Sequence, residues 1–432
     1  MSSQSPTSET IRTQCAIVGG GPAGMMLGFL LARAGINVVV LEKHGDFLRD
    51  FRGDTIHPST LQVMHELGLL AEFLKRPHNE VRELDAQFGD QRMAIADFTH
   101  LPTVCKFVAF MPQWDFLNFV AEHGTRYPGF HLMMETEGID LIDENGRVVG
   151  VRARHHDRAL EIRADLVVGT DGRHSTMRAR AGFQVMDIGA PMDVLWMSIS
   201  RRPSDPPQTL GRIDAGQFLV MLDRGDYWQC AFVIRKGSFA EIQQRGIEAF
   251  QADLARLVPY LGDRVREIGD WKKISLLSVA VDRLRVWYCA GLLCIGDSAH
   301  AMSPIGGVGI NLAIQDAIAA ANILASHLRE GPVGVDAVRE VQTRREFPTR
   351  MTQGLQVFVQ NKFVSRVLGS HERLPLPFFL KLVRRSVILR RLFARVVGMG
   401  FRPEHVQTPE APIAQAPEKG EPRDGPSPLA VQ

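Results

Sequence analysis

The stretch CAIVGGGPAGMMLGFLLARAGINVVVLE, residues 15–42, decides the reading of this chain. Cys15 to Val18 is a short apolar run, which suits a strand buried on both faces. Gly19-Gly-Gly21-Pro-Ala23-Gly24 follows as G-x-G-x-x-G, and a helix is expected from about Pro22 to Ala34. Met26, Leu27, Leu30 and Leu31 mark the helix's apolar face, and Gly35 suits its C-terminus. Asn37 to Leu41 is a second β-branched run that ends at Glu42. In such a βαβ unit Gly19 makes the tight turn, Gly21 lets a pyrophosphate approach the backbone, and Gly24 lets the helix pack close to the strand. Phosphate charge then sits at the helix N-terminus, and Glu42 stands where an acid can bind a ribose hydroxyl. The glycines alone would equally suit an ordinary turn. Strand, helix and acid in this order point to a dinucleotide.

A second glycine cluster separates one dinucleotide from another. Cys294-Ile-Gly296-Asp297-Ser298-Ala299-His300 leads to Pro304-Ile-Gly306-Gly307-Val-Gly309-Ile-Asn311. Here a strand ends at an aspartate, a glycine-rich loop follows, and a helix begins. The Asp297 carboxylate can accept bonds from the polyol chain of a flavin. Backbone N–H groups from Pro304 to Asn311 can face the pyrimidine edge of the ring, where reduction places negative charge.

Composition bounds what lies around these clusters. The 432 residues, 45% hydrophobic and 23% charged, suit two globular domains and exclude a disordered, collagenous or disulfide-scaffold chain. Fifty basic residues against 48 acidic ones give no electrostatic case for nucleic acid as a partner. Cys15, Cys105, Cys230, Cys289 and Cys294 are scattered, so neither a disulfide framework nor a metal site is expected. The polar first ten residues carry no secretory h-region, which makes the cytoplasm the default location.

The expected architecture is α/β. A Rossmann-like FAD-binding domain (11–182 and 282–370) is interrupted by a mixed-sheet substrate domain (183–281), followed by a basic helical segment (371–406) and a disordered tail (407–432). Helices are expected over Pro58–Leu74, Gln113–His123 and Gly309–Arg329, and a long amphipathic stretch over Phe239–Val258.

Together with Asp171-Gly-Arg173-His-Ser175-Thr-Met-Arg178, a D-G-x-x-S-x-x-R stretch, these clusters resemble the single-component flavin monooxygenases of the para-hydroxybenzoate hydroxylase type. Order and spacing agree over about residues 13–355. The resemblance implies FAD as cofactor, NADH or NADPH as co-substrate, and transfer of one oxygen atom from O2, through a flavin C4a-hydroperoxide, to an aromatic or electron-rich small molecule. It implies that Asp171 lies beside the pyrophosphate, that Arg52 lies near the FAD phosphates, and that Gln113 contacts the flavin's polar chain. A solvated loop cation and a polar helix start are the plainer readings of the last two.

Because the cofactor carries the chemistry, the protein needs mainly positioning, dryness and proton management. His57 is the one candidate proton carrier, with packing before Pro58 as its alternative; His300 is expected to pack at the Asp297 loop. Only Tyr127, Tyr227, Tyr260 and Tyr288 are present, and none can be placed as a phenol-deprotonating relay. Trp196, Met221 and Trp228 are the expected substrate walls. The GWxWxIP signature of flavin halogenases is absent. An isoprenoid reductase, as in geranylgeranyl reductases, and a non-catalytic flavin-binding protein are the competing readings. Leu374 to Val397 interleaves apolar residues with cations. It can lie on a membrane surface or pack on its own FAD domain, and packing is the expectation.

Overall fold

The computed structural model describes residues 9–48, 55–206, 210–370, 372 and 375–412. Its main sheet is built on the strand Glu9–Val18, which pairs in parallel with Val38–Leu41 on one side and Arg158–Gly169 on the other. Phe130–Met133 and Leu292–Cys294 extend the parallel order at the two ends. Cys15–Val18, Val38–Leu41 and Leu292–Cys294 are buried throughout, as strands covered on both faces must be. One face carries the helices Pro22–Arg33, Gln113–Gly124 and Gly309–Glu330. The other face is covered by the hairpin Arg147–His155 with the first half of Arg158–Gly169, through Val151, Ala153, Leu160 and Ile162.

The second sheet has seven strands: Ser275–Leu277, Met192–Ser200, Tyr227–Arg235, Gln217–Asp223, Leu210–Asp214, Glu83–Phe88 and Gln91–Asp97, in that spatial order. The last two come from the first part of the chain, so the substrate domain is not confined to residues 183–281. The long amphipathic stretch is two helices, Phe239–Gln244 and Ile247–Leu257, broken where Gly246 takes φ +90°. They pack on one face of this sheet. The opposite face looks onto the FAD-binding domain.

The C-terminal helices Phe378–Arg385 and Val387–Met399 lie across the strand Gln91–Asp97. Leu380 and Val383 meet Met93, while Ala394 and Val397 meet Ala96 and Phe98. Gly398 lets this helix come close, since a Cβ there would stand 2.9 Å from Leu101 Cδ1 and 3.2 Å from the Phe98 ring. The tail does not become disordered at 407. Arg33 donates to the Thr408 carbonyl, Ala411 N–H donates to the Arg33 carbonyl, and Tyr127 Oη donates to Glu410 at 2.8 Å. Composition misled here because the partners for this polar segment are supplied by distant residues; residues 413–432 lie outside the described part. The stretch Ile305–Glu330 is long and apolar enough to cross a membrane, yet most of it is buried as a core helix.

Candidate active site

A continuous cavity of about 1420 Å³ runs from the first glycine turn to the free face of the second sheet. That exceeds the ~300–1,000 Å³ of an ordinary single-ligand pocket and suits a dinucleotide plus a substrate. At its polar end Gly19 adopts φ +111°, and a Cβ there would stand 2.5 Å from the Thr170 carbonyl. At Gly24 a Cβ would stand 2.0 Å from the Gly19 carbonyl. At Gly21, which lines the cavity, a Cβ would meet no atom within 4 Å. Two glycines close the turn, and the third leaves it open to a ligand. Such a cradle fits the pyrophosphate of FAD.

Glu42 lines the same end and is buried, with Oε2 accepting from Gly20 N–H and Oε1 from His44 N–H, both at 3.0 Å. The backbone thus fixes the carboxylate at the cavity wall. Asp171 also lines the cavity. Its oxygens accept from Ser175 Oγ at 2.5 Å and Met177 N–H at 3.1 Å, which cap the short helix Thr176–Arg180. Burial raises its pKa against the opposing pull of those bonds. Arg173, from the same turn, reaches Asp297 at 3.6 Å and so joins the second and third motifs.

Ala23, Gln113, Asp297, Pro304, Gly306 and Gly309 line the cavity. Gly306 and Gly307 adopt φ +78° and +62°, and a Cβ on Gly307 would strike Thr55 Oγ1 at 2.3 Å. Gly309 and Ile310 present the start of the long helix to the cavity, where its free N–H groups favour negative charge. Asn311 is different. Its Oδ1 accepts from His57 N–H and Thr60 Oγ1, and its Nδ2 donates to the carbonyls of Thr55 and Gly307. Its side chain pins the loop and faces the smaller adjoining pocket rather than the main cavity, so a flavin contact at this position would come from its backbone. Arg52 lies outside the described residues.

Sequence reasoning missed the group behind this loop. Asp316, two turns inside the helix, accepts from His300 Nε2 at 2.6 Å, Arg345 Nε at 2.8 Å and Gly296 N–H at 3.2 Å, all buried. Although burial works the other way, His300 and Arg345 hold its carboxyl below the usual range. His300 therefore fixes the Asp297 turn through Asp316. The signal was the spacing from His300 to Asp316 across the glycine loop, and it is too long to recognise without the fold.

His57 lines the cavity, and its Nδ1 donates to the Val397 carbonyl at 2.7 Å, which leaves Nε2 as the acceptor of a neutral ring. Burial lowers its pKa from 6.5 to about 4, outweighing the carbonyl bond. It is thus a fixed hydrogen-bonding group in the cavity wall, neutral at pH 7. The unfolded chain takes up this proton near pH 6.5 and the folded protein only near 4. The associated stability is therefore complete above pH 6.5 and lost as pH falls toward 4, about 2 kcal/mol being gone at pH 5. His57→Gln should remove this component, so that the stability gap between wild type and variant in urea unfolding narrows from pH 7.5 to pH 5. An unchanged gap would refute the assignment.

On the sheet face, alternation decides which side chains reach the cavity. Trp196 and Val220 both pair with Ala231, and these three line it with Met192, Val194, Phe218 and Val233. Met221 and Trp228 point the other way, into the core beneath the helices. Trp228 is held there because its indole N–H donates to Asp205 at 2.9 Å, and Asp205 is itself clamped by both terminal nitrogens of Arg264. Those two assignments as substrate walls were wrong by one residue of register. None of the four tyrosines lines the cavity.

The fold and this cradle define a class, and comparison agrees: the chain belongs to the FAD-binding domain family, whose model matches residues 12–353. Within that class it is an FAD-dependent monooxygenase of the para-hydroxybenzoate hydroxylase type, an oxidoreductase. It is 30% identical over 393 residues to 6-methylpretetramide 4-monooxygenase of Streptomyces rimosus, covering 90% of this chain and 93% of that one. It is 27% identical over 355 residues to a rifampicin monooxygenase of Rhodococcus hoagii, covering 76% and 67% of the two chains. Among solved structures, PqsL of Pseudomonas aeruginosa, a probable FAD-dependent monooxygenase, superposes with a TM-score of 0.69 at 24% identity over 83% of this chain and 97% of that one. The p-nitrophenol 4-monooxygenase PnpA of Pseudomonas putida superposes at 0.70 and 19% identity, covering 90% and 94%. These two structural likenesses concern the fold.

Proposed function

We propose that the enzyme uses NADH or NADPH to hydroxylate an extended, largely apolar aromatic compound held between the flavin and the second sheet. The observation that carries this reading is the continuity of the cavity from the Gly21 cradle to the Trp196–Val220 wall. Relatives named for 6-methylpretetramide and rifampicin support an aromatic substrate of this kind.

Bound and reduced, FAD supplies the activation of O2 and the oxygen atom to be transferred. The chain's own residues do the rest. The Gly19–Gly24 turn and Glu42 fix the adenosine and pyrophosphate end, while Asp297 and the Pro304–Gly309 loop orient the ring end. Arg173 and His174 put nitrogen donors on the wall beside Asp297, suited to the phosphates of a nicotinamide nucleotide. Val194, Val220, Ala231, Phe379 and Phe393 make the substrate half apolar, which keeps water from the reacting atoms. Trp196 Nε1 has no hydrogen-bond partner among the described residues, and it is a donor for an oxygen of the substrate.

The test screens aromatic compounds for NAD(P)H oxidation with one O2 consumed and one 18O atom incorporated per product. Val220→Trp should fill the wall, raise KM at least about tenfold for any accepted compound, and leave FAD content unchanged. Reduction of a double bond without oxygen would instead make this a reductase. The absence of any compound that accelerates flavin reduction would instead favour a non-catalytic flavin-binding protein.

A further inference from the structure

We propose that the surface around the cavity mouth docks on an anionic lipid bilayer. Two exposed apolar faces meet there. Phe347, Met351, Leu355 and Phe358 form one stripe along the helix Val335–Val359. Phe378, Phe379, Leu382, Ile388 and Leu392 form the other on the two C-terminal helices, with Phe378 82% and Ile388 75% exposed. The faces are joined at the opening, because Leu355, Phe358 and Phe379 are each exposed and each line the cavity. Val359, Val396 and Val397 share a smaller adjoining pocket. Apolar surface on this scale is not left bare without a use.

Charge identifies the occupant. From Leu374 to Pro403 the chain carries seven cations and no acid, in a protein whose net charge is only +2. Arg391 is engaged by Asp97, and Arg384 and Arg390 donate to uncharged oxygens. Lys381, Arg385 and Arg395 are exposed and form no ion pair among the described residues. A second copy docked on this surface about a two-fold axis would bring the same cations together. Lipid phosphates would neutralise them, with the phenylalanines in the interface and the cations among the headgroups. An apolar substrate could then pass from lipid into the cavity without crossing water.

The experiment floats the FAD-loaded enzyme with phosphatidylcholine vesicles, either pure or carrying about 30% phosphatidylglycerol. Binding should be at least about tenfold tighter to the anionic vesicles and should fall with added salt. Phe378→Ser/Ile388→Ser/Leu392→Ser and Lys381→Gln/Arg385→Gln/Arg395→Gln should each weaken it, the second by about a hundredfold. None of these six side chains lines the cavity, so flavin content and Tm of both variants should match wild type. The proposal falls if wild type ignores anionic vesicles, or if both variants bind them as wild type does. It falls too if the serine variant only converts a dimer to a monomer in sedimentation, which would make the surface a protein interface.

Discussion

Gly21→Val should give a folded protein that purifies without FAD, whereas Gly24→Val should give little folded protein at all. The two glycines sit three residues apart in one turn and face different neighbours. A side chain on Gly21 enters open cavity, so the fold has nothing to resist it and the pyrophosphate loses its space. A side chain on Gly24 must displace backbone at Gly19, together with Thr170 Oγ1 at 2.6 Å, and neither can move without opening the helix from the sheet. For Gly21→Val the FAD affinity should drop by at least about a hundredfold, with Tm of the apoprotein within a few degrees of wild-type apoprotein. Flavin absorbance after desalting and a thermal melt decide it. Retention of FAD with an unaltered Kd would place the pyrophosphate elsewhere.

The second large effect is expected at Asp316. Asp316→Leu removes the acceptor shared by Arg345, His300 and Gly296 N–H and leaves a buried guanidinium without its best partner. Breaking a buried pair in this way costs about 3–5 kcal/mol, because the remaining charge keeps its desolvation penalty. Denaturant unfolding should show that loss, and FAD should bind more weakly because the turn carrying Asp297 is no longer tied. Adding Arg345→Met should restore part of the stability but not the flavin affinity. If Asp316→Leu unfolded at the wild-type midpoint, the network would be incidental.

How far the sequence could be read follows from the range of each interaction. The βαβ unit was legible because its determinants lie within thirty residues and each is local: apolar runs, a turn, a capping glycine, an acid. The cavity walls were legible only in part. Trp196 faces the cavity and Met221 and Trp228 do not, because a strand's phase depends on pairing partners that one strand does not reveal. The strands Glu83–Phe88 and Gln91–Asp97 were not recognised, since residues such as Glu83, Asp85, Gln91 and Arg92 dilute their alternation. Asn311 shows the opposite hazard. Its place in the motif was visible, but its four hydrogen bonds to the loop at 55–60 and to Gly307 could be known only from the fold.

The roof of the cavity comes from residues 380–397, far along the chain from the first glycine turn. Val397 accepts from His57, Phe393 and Leu380 wall the substrate half, and Glu404 and Glu410 fasten this segment to Arg345 and Arg33. On the ribosome, the first strand and glycine turn can form early. The parallel sheet must still wait for residues near 160 and 290, and the enclosure for residues near 400. Full enclosure of the cavity therefore requires residues far apart in the chain to be present together. A chain stalled before its final helices would hold an open, apolar trough rather than a partly active enzyme, and would be a substrate for chaperones and proteases.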